Sequence, residues 1–398
     1  MKANVHVAGL GCISAIGNSV AETFRALEQE ESGIGAITLF DTIHKNELPV
    51  GEVKLSNDEL TRDAGVKKKV TRTSLLGLIA AQEAVQHSRI KNKAKWRTGF
   101  ISATTVGGMD RTENFAIAFL KDKTKGDLHD VIHHECGSIT EWIAGQLKIT
   151  DFLSTINTAC SSSVNAIQLG ARLIAQNQLD VVIAGGTDAL TKFTLNGFNS
   201  LMILDKKPCR PFDANRQGLN LGEGAGYVVL VSERVLRGEN LQSHALVSGF
   251  GNTNDAFHQT ASSPEGRGSF MAMSNALAMA GLKTNQIDYI NLHGTGTQNN
   301  DSSEGIAIQR LFTDVPRSSS TKAYTGHTLG ASGGIEAVFS ILSLIHGCAY
   351  PNLRFENRIP ELNYSPQQKF EKGLPIQHVL SNSFGFGGNC SSIIFSKG

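Results

Sequence analysis

Asn157-Thr158-Ala159-Cys160-Ser161-Ser162-Ser163, continuing into Val164, Ile167, Ala171 and Ile174 on one helical face, is the stretch from which the fold is most directly read. The apolar spacing predicts a helix packed on a core, and the small polar residues ahead of it predict a strand-to-helix junction at Cys160. The unpaired N–H groups and dipole at a helix N-terminus favour negative charge, so the expectation is a thiol with its pKa lowered towards working pH. A cysteine in such a place is also a good small core residue, so the stretch alone does not establish a nucleophile.

Outward from Cys160, short strand-like runs occur at 5–10, 99–104, 181–186, 226–232, 245–251, 287–293 and 391–396, and helical periodicity at 75–87, 164–176, 270–280 and 335–346. Strands alternating with helices predict an α/β body with covered sheets. Two such series, broken near 233–242, suggest two similar halves, residues 1–240 with the cysteine and 241–398 with the histidines described below.

The bulk properties agree with an enzyme-sized body. With 398 residues and 40% hydrophobic composition the chain can bury a large core. The 37 basic and 36 acidic side chains leave a formal charge of +1, too little for an overall field that grips nucleic acid. Cys12, Cys136, Cys160, Cys209, Cys348 and Cys390 are scattered without CxxC spacing, which argues against a zinc site or a disulfide framework and for a reducing, cytoplasmic setting. The apolar run 5–10 is too short for a secretory core, and no run is expected to span a membrane. The 41 glycines, 9 prolines and absence of a linker-like tract suggest one integrated unit.

Two further places carry chemistry. His293-Gly294-Thr295-Gly296-Thr297 follows a strand-like run, where α/β proteins put functional groups. Lys322-Ala323-Tyr324-Thr325-Gly326-His327 leads into a Gly-rich helix start that contains Glu336. Either histidine singly could be a hydrogen-bonded structural residue; their coincidence with Cys160 points to a site. The adjacent pair His133-His134 does not share a face and is read as non-catalytic. Near the end, Ser383-Phe384-Gly385-Phe386-Gly387-Gly388-Asn389 could donate an N–H to an oxyanion or simply turn a hairpin.

Together with Gly9-Leu10-Gly11, Gly107-Gly108, Arg210-Pro211-Phe212-Asp213 and Gly222-Glu223-Gly224-Ala225-Gly226, these stretches resemble the β-ketoacyl-acyl-carrier-protein synthases of the thiolase superfamily, in particular the elongating Cys-His-His type. The resemblance implies a five-layered αβαβα fold of two duplicated halves, usually a dimer, and a decarboxylating Claisen condensation. It implies Cys160 as nucleophile, His293 and His327 at the malonyl thioester, and Lys322 with Glu336 as their support. Phe386 would contribute an oxyanion N–H and, with Phe198, a gate; Val106 would line the acyl pocket, and Thr295 and Thr297 the malonyl channel. No separate cofactor and no metal are implied, because the substrates arrive on the phosphopantetheine of acyl carrier protein. Lys67, Lys68, Lys69, Arg72, Lys206, Lys207 and Arg210 are the candidate contacts for that acidic carrier. The partner is the carrier protein together with a second, identical or homologous, subunit.

Gly388-Asn389-Cys390, the run 216–221 and Pro351-Asn352-Leu353 depart from the housekeeping pattern and suggest a synthase for polyenes or another specialised acyl product. A non-catalytic chain-length factor would lack the nucleophile, although this chain could be the active half of such a pair. A thiolase would use a second cysteine, for which Cys390 is a poor candidate, and an initiating synthase would have Asn in place of His327. The Gly9-Leu10-Gly11 run lacks the spacing of a dinucleotide fingerprint.

Overall fold

A computed structural model describes residues 4–91 and 95–398. Its main sheet has ten strands: β1 (Val5–Ser14), β2 (Thr98–Ala103), β3 (Phe152–Ile156), β4 (Val181–Asp188), β5 (Gly224–Ser232), β6 (Ala245–Asn254), β7 (Tyr289–Asn291), β8 (Arg317–Ser319), β9 (His378–Phe384) and β10 (Asn389–Ser396). Their order is β3-β2-β4-β5-β1 in the first five and β8-β7-β9-β10-β6 in the second. In both arrays the first strand is antiparallel to the fifth and the fifth to the fourth, while the fourth, second and third run parallel. The duplication that leaves no identity in the sequence is therefore explicit in topology. The arrays meet at one short antiparallel contact, His6 with Leu246 and Val7 with Ala245.

Helices complete the layers. α1 (Arg72–Ser88) covers the outer face of the first array and α5 (Arg267–Ala280), backed by α6 (Gln298–Leu311), covers that of the second. Between the arrays lie α3 (Ser162–Ala175) and α7 (Ser332–His346), each touching strands of both and each other. The expected αβαβα stack is the result. Two shorter helices matter below, α2 (Met109–Lys121) after β2 and α4 (Lys192–Ser200) after β4.

α7 is apolar nearly all round because it is the centre of the molecule. The segment Leu329–His346 does reach 18 residues with mean hydropathy 1.4, contrary to the expectation of no such run, and 89% of it is buried inside the protein. It is a core helix. Its start approaches β5 at two glycines: a Cβ on Gly226 would stand 2.4 Å from Gly334 C and Ile335 N, and one on Gly334 2.4 Å from Gly226 O.

Gly226→Ala should therefore push α7 away from β5, costing ~1–3 kcal/mol as an overpacked core. Urea denaturation measures this, and unchanged stability would contradict the close approach. Since α7 carries Glu336, which pairs with Lys322 behind His293, malonyl decarboxylation should fall in the same variant.

Candidate active site

The site gathers the segments that leave the carboxyl ends of the parallel strands, where open α/β sheets leave a crevice. From the first half come the Val106 turn after β2, Cys160 after β3 and Asp188 at the end of β4; from the second come His293 after β7, His327 after β8 and the 385–388 turn after β9. Topologically equivalent strands of the two halves thus present complementary parts.

Cys160 follows Ala159, whose φ of 54° is unusual for a residue with a Cβ. The turn is held by Thr158 N–H to Ser162 Oγ (2.8 Å) and Ser161 Oγ–H to Thr158 O (2.7 Å), so the serines of the motif set the junction. Ser163 Oγ accepts from Gly334 N–H at 2.8 Å, tying the starts of α3 and α7 together beside the thiol.

The two histidines occupy defined states. His327 Nε2 is 3.1 Å from Cys160 Sγ. Its Nδ1 accepts from Leu329 N–H at 3.1 Å and lies 3.0 Å from Ser332 Oγ. His293 Nδ1 faces the Lys322 ammonium at 3.3 Å. A backbone N–H and an ammonium can only donate, so both Nδ1 atoms are acceptors and both neutral rings carry their proton on Nε2, which in His327 faces the cysteine sulfur. The rings meet edge to face, centroids 5.5 Å apart. Burial, followed by the Lys322 charge, drives both imidazole pKa values well below the ordinary histidine value, with His327 adding to the effect on His293.

Lys322 is 2% exposed. It forms a short ion pair with Glu336 and donates to His293 O at 2.7 Å. Burial raises Glu336 to about 7, opposed by Lys322. One donor atom from each of Cys160, His293 and His327 lies within 4.8 Å of the others, close enough for a metal to share, but the Lys322 charge behind His293 works against a cation there.

The thiol departs from expectation. Burial pushes Cys160 up to about 11, against the lowering effects of Lys322 and of the Phe386 and Cys160 N–H groups. Desolvation is the largest effect on the thiol, so burial opposes the lowering expected at a helix start. The two N–H groups nonetheless converge beside the sulfur, as an oxyanion site requires. The Gly loop does both things read from it: it closes a hairpin in which Phe384 pairs with Cys390, between central strands rather than edge ones, and it aims Phe386 N–H at the cysteine. Gly385 is required there, since a Cβ would come within 2.9 Å of Thr158 O.

A cavity of about 420 Å³ opens on these groups and is lined by Phe198, Phe386, Thr295 and Thr297 as well as Cys160, His293 and His327. Phe198 and Phe386 stack at 5.8 Å. Beyond Phe198 lies an apolar cluster that includes Val106, Leu190, Leu195 and Leu219. Cys390 borders the cavity but packs on Ala272 and Phe384, and burial raises it to about 12.

Arg72 does not belong with the carrier contacts. It is 6% exposed, and its guanidinium is engaged by Glu223 (2.7 Å), Val53 O, Leu55 O and Asn57, so it offers no surface charge. Lys67, Lys68 and Lys69 are exposed, but none lines the cavity. Lys206 and Lys207 are exposed close in sequence to Met202 and Ile203 at the cavity wall. Arg210 is half-buried beside Glu356.

Three carboxylates escaped the sequence reading. Glu304 accepts from His293 N–H (2.9 Å) and Gly294 N–H (2.8 Å), and Asp301 from Thr295 N–H (2.9 Å) and Phe212 N–H (2.7 Å). Asp188 receives Thr105 N–H and Gly330 N–H, linking the Val106 turn to the segment after His327. The signal for the first two was an Asp-x-x-Glu pair in the first turns of a helix directly after the His293 loop. The departures also gain a role: Arg216 holds Thr297 O and Gln298 O, and Asn389 Oδ1 accepts from Asn165 Nδ2–H at 3.0 Å and lies 2.7 Å from Ser161 Oγ.

A doubled α/β fold with a buried cysteine, two neutral imidazoles and paired N–H groups defines an acyl-transferring thiol enzyme. The sequence matches the Beta-ketoacyl synthase N-terminal domain over residues 2–235 and the C-terminal domain over residues 244–356. The chain belongs to the β-ketoacyl synthase family of condensing enzymes. It is 33% identical to 3-oxoacyl-[acyl-carrier-protein] synthase 2 of Staphylococcus aureus (strain N315), covering 99% of this chain and 98% of that one. It is 34% identical to the Coxiella burnetii protein of the same name, covering 100% and 99%. Among solved structures, the ishigamide ketosynthase/chain length factor superposes with a TM-score of 0.92 at 29% identity, covering 100% of both chains. The ketosynthase ApeO, in complex with its chain length factor ApeC from Xenorhabdus doucetiae, gives 0.86 at 31%, covering 100% and 98%.

Lys322→Ala would leave Glu336 buried without its cation, at a cost of ~3–5 kcal/mol while the carboxylate stays charged. Losing the lysine raises the Glu336 pKa further above about 7, so protonation at low pH relieves the penalty, which returns as pH rises. The variant's deficit should be clearly smaller at pH 5.5 than at pH 8 in urea unfolding. Equal deficits would contradict the ion-pair account.

Proposed function

We propose that this chain is a β-ketoacyl-acyl-carrier-protein synthase that holds an acyl group on Cys160 and extends it by decarboxylative condensation with malonyl-carrier protein. The observation that carries the reading is the pair of Nε2–H groups, fixed by donors at both Nδ1 atoms, on rings that gather beside one cysteine. In the first stage the Cys160 sulfur attacks the acyl thioester, the Cys160 and Phe386 N–H groups hold the oxyanion, and the carrier thiol leaves with the proton given up by the cysteine.

In the second stage the malonyl thioester loses carbon dioxide. The electron pair of the broken C–C bond passes into an enolate whose oxygen accepts from His293 and His327 Nε2–H, and the enolate carbon then attacks the acyl carbon, releasing the Cys160 sulfur. Neutral donors suit this step because they stabilise the developing oxyanion without having to lose a proton. Thr295 and Thr297 would flank the malonyl group, and Phe198 would separate the nucleophile from the acyl cluster around Val106. Substrates come on phosphopantetheine, no separate cofactor takes part, and the setting is cytoplasmic. Lys206 and Lys207, with Arg210, would meet the acidic carrier beside the cavity, and Lys67–Lys69 would form a second contact.

The active half of a ketosynthase/chain-length-factor pair is a second reading, favoured by the likeness to the ishigamide and ApeO–ApeC structures. Light scattering of the isolated chain separates the two: a stable homodimer supports self-association, and a monomer supports the heterodimer.

Cys160→Ala should abolish both acylation and condensation, and Cys160→Gln should retain malonyl decarboxylation while losing condensation. His293→Ala or His327→Ala should leave acylation of Cys160 but lower decarboxylation by ~10²–10³-fold, the scale for loss of an oxyanion donor. Because both imidazoles are lowered, decarboxylation should persist as pH falls through 6.5. Condensation by Cys160→Ala would overturn the assignment.

A further inference from the structure

Attack on an acyl thioester calls for two N–H donors at one point, and here they come from different halves of the fold. Cys160 N–H belongs to the turn after β3, Phe386 N–H to the loop between β9 and β10, and both act on the Cys160 sulfur. β3 stands at one edge of the ten-strand order while β9 and β10 lie in the other array, so no ladder between them sets the spacing. The segments nonetheless touch: a Cβ on Gly385 would stand 3.1 Å from Cys160 N.

Asn389 holds both segments. Its backbone O accepts from Gly385 N–H at 2.8 Å, closing the loop that carries Phe386. Its side-chain Oδ1 accepts from Asn165 Nδ2–H at 3.0 Å, and the same Asn165 amide donates to Thr158 Oγ1 at 2.8 Å, in the turn that carries Cys160. Asn165 lies in the first turn of α3, directly after that turn. The bridge is braced from the neighbouring strand β6, where Asn252 Nδ2–H donates to Asn389 Oδ1 at 2.8 Å, and Ser391 Oγ–H donates to Asn165 Oδ1 at 2.7 Å. Two amide N–H groups thus converge on Asn389 Oδ1, a place that only an acceptor fills. The bridge shares no residue with the Lys322–Glu336–His293 group, nor with Ser332 and Leu329 around His327.

Building on the ketosynthase reading, we infer that Asn389 is a positioning residue for acyl transfer: its side chain fixes the Phe386 loop against the Cys160 turn at the spacing that lets both N–H groups meet one thioester oxygen. Asn389 itself acts at one remove, through Asn165 and Thr158 on one side and Gly385 on the other. Without the acceptor, the loop and the turn are free to separate, and a small misplacement of donors lowers the rate of the step they serve more than the binding of substrate. That step is the transfer of the acyl group to sulfur; decarboxylation draws on the two imidazoles instead.

The test follows two half-reactions of the full chain: acylation of Cys160 by the best substrate in a panel of acyl-carrier proteins, read by intact mass, and decarboxylation of malonyl-carrier protein. Asn389→Leu, which keeps the bulk of the side chain and removes the acceptor, should lower the acylation rate constant by ~10–100-fold with KM unchanged. Decarboxylation by the same variant should stay within ~2-fold of wild type, because the two half-reactions use different donors. Asn165→Leu removes the donor at the other end of the bond; it should show the same split, and it carries the test should Asn389→Leu not fold. Asn389→Asp keeps an acceptor facing both amides and should restore most of the acylation rate. The two N–H groups lower the Cys160 thiol, so alkylation of Cys160 by iodoacetamide should move to higher pH in both Leu variants. Acylation at the wild-type rate in the Leu variants, or an equal fall in both half-reactions, would overturn the inference and leave the role of Cys160 standing. A wild-type enzyme that no member of the panel acylates would overturn the ketosynthase reading itself.

Discussion

The Lys322 ammonium, 2% exposed, is the group on which the site depends. A buried cation is tolerated only where every proton finds an acceptor, and this one has three: the Glu336 carboxylate, His293 O and His293 Nδ1. Those acceptors come from a helix in the central layer and from a loop after β7, so satisfying one charge fixes the distance between them. The same ammonium determines the His293 tautomer and holds down the pKa of both imidazoles. The charge thus acts on the chemistry without touching the reacting atoms.

Duplication explains how so many parts reach one place. In each half the second and third strands end in turns directed at the central layer; in the first half these turns hold Val106 and Cys160, and in the second His293 and His327. Two copies of one topology thus contribute different side chains to one site, Val106 and Cys160 from one half and His293 and His327 from the other. The glycine approach between β5 and α7 and the Gly334 N–H to Ser163 Oγ bond bring the sides to contact distance.

Much of this was legible in the chain. The Cys160, His293 and His327 motifs stand where strands give way to Gly-rich or hydroxyl-rich turns, and the helices at 162–175 and 332–346 match their apolar periods to within three residues. Strands β8 and β9 were not recognised, and β3 only as the strand implied ahead of Cys160. Arg317–Ser319 is too short for any period, and His378–Phe384 carries Ser and Asn at buried positions, where an apolar run would have been the signal. Asp188 was missed because it satisfies backbone N–H groups of loops far away in the chain, a pattern visible only in three dimensions, whereas Glu304 and Asp301 serve the adjacent His293 loop and were legible only in their Asp-x-x-Glu spacing. Arg72 was misread for a related reason: a basic residue after three exposed lysines has the look of surface, yet its partner Glu223 lies 151 positions away. The thiol was misjudged because a helix terminus can be read from sequence while the depth of burial that opposes it cannot.

The proposed function requires two neutral rings that each present Nε2–H to the thioester oxygen. Nitrogen NMR of histidine-labelled enzyme at pH 7, assigned through His293→Asn and His327→Asn, tests that directly. Both rings should show an unprotonated Nδ1 and a protonated Nε2, with no titration as pH is lowered through 6.5. A proton on Nδ1 of either ring, or an ordinary histidine titration near 6.5, would contradict the account.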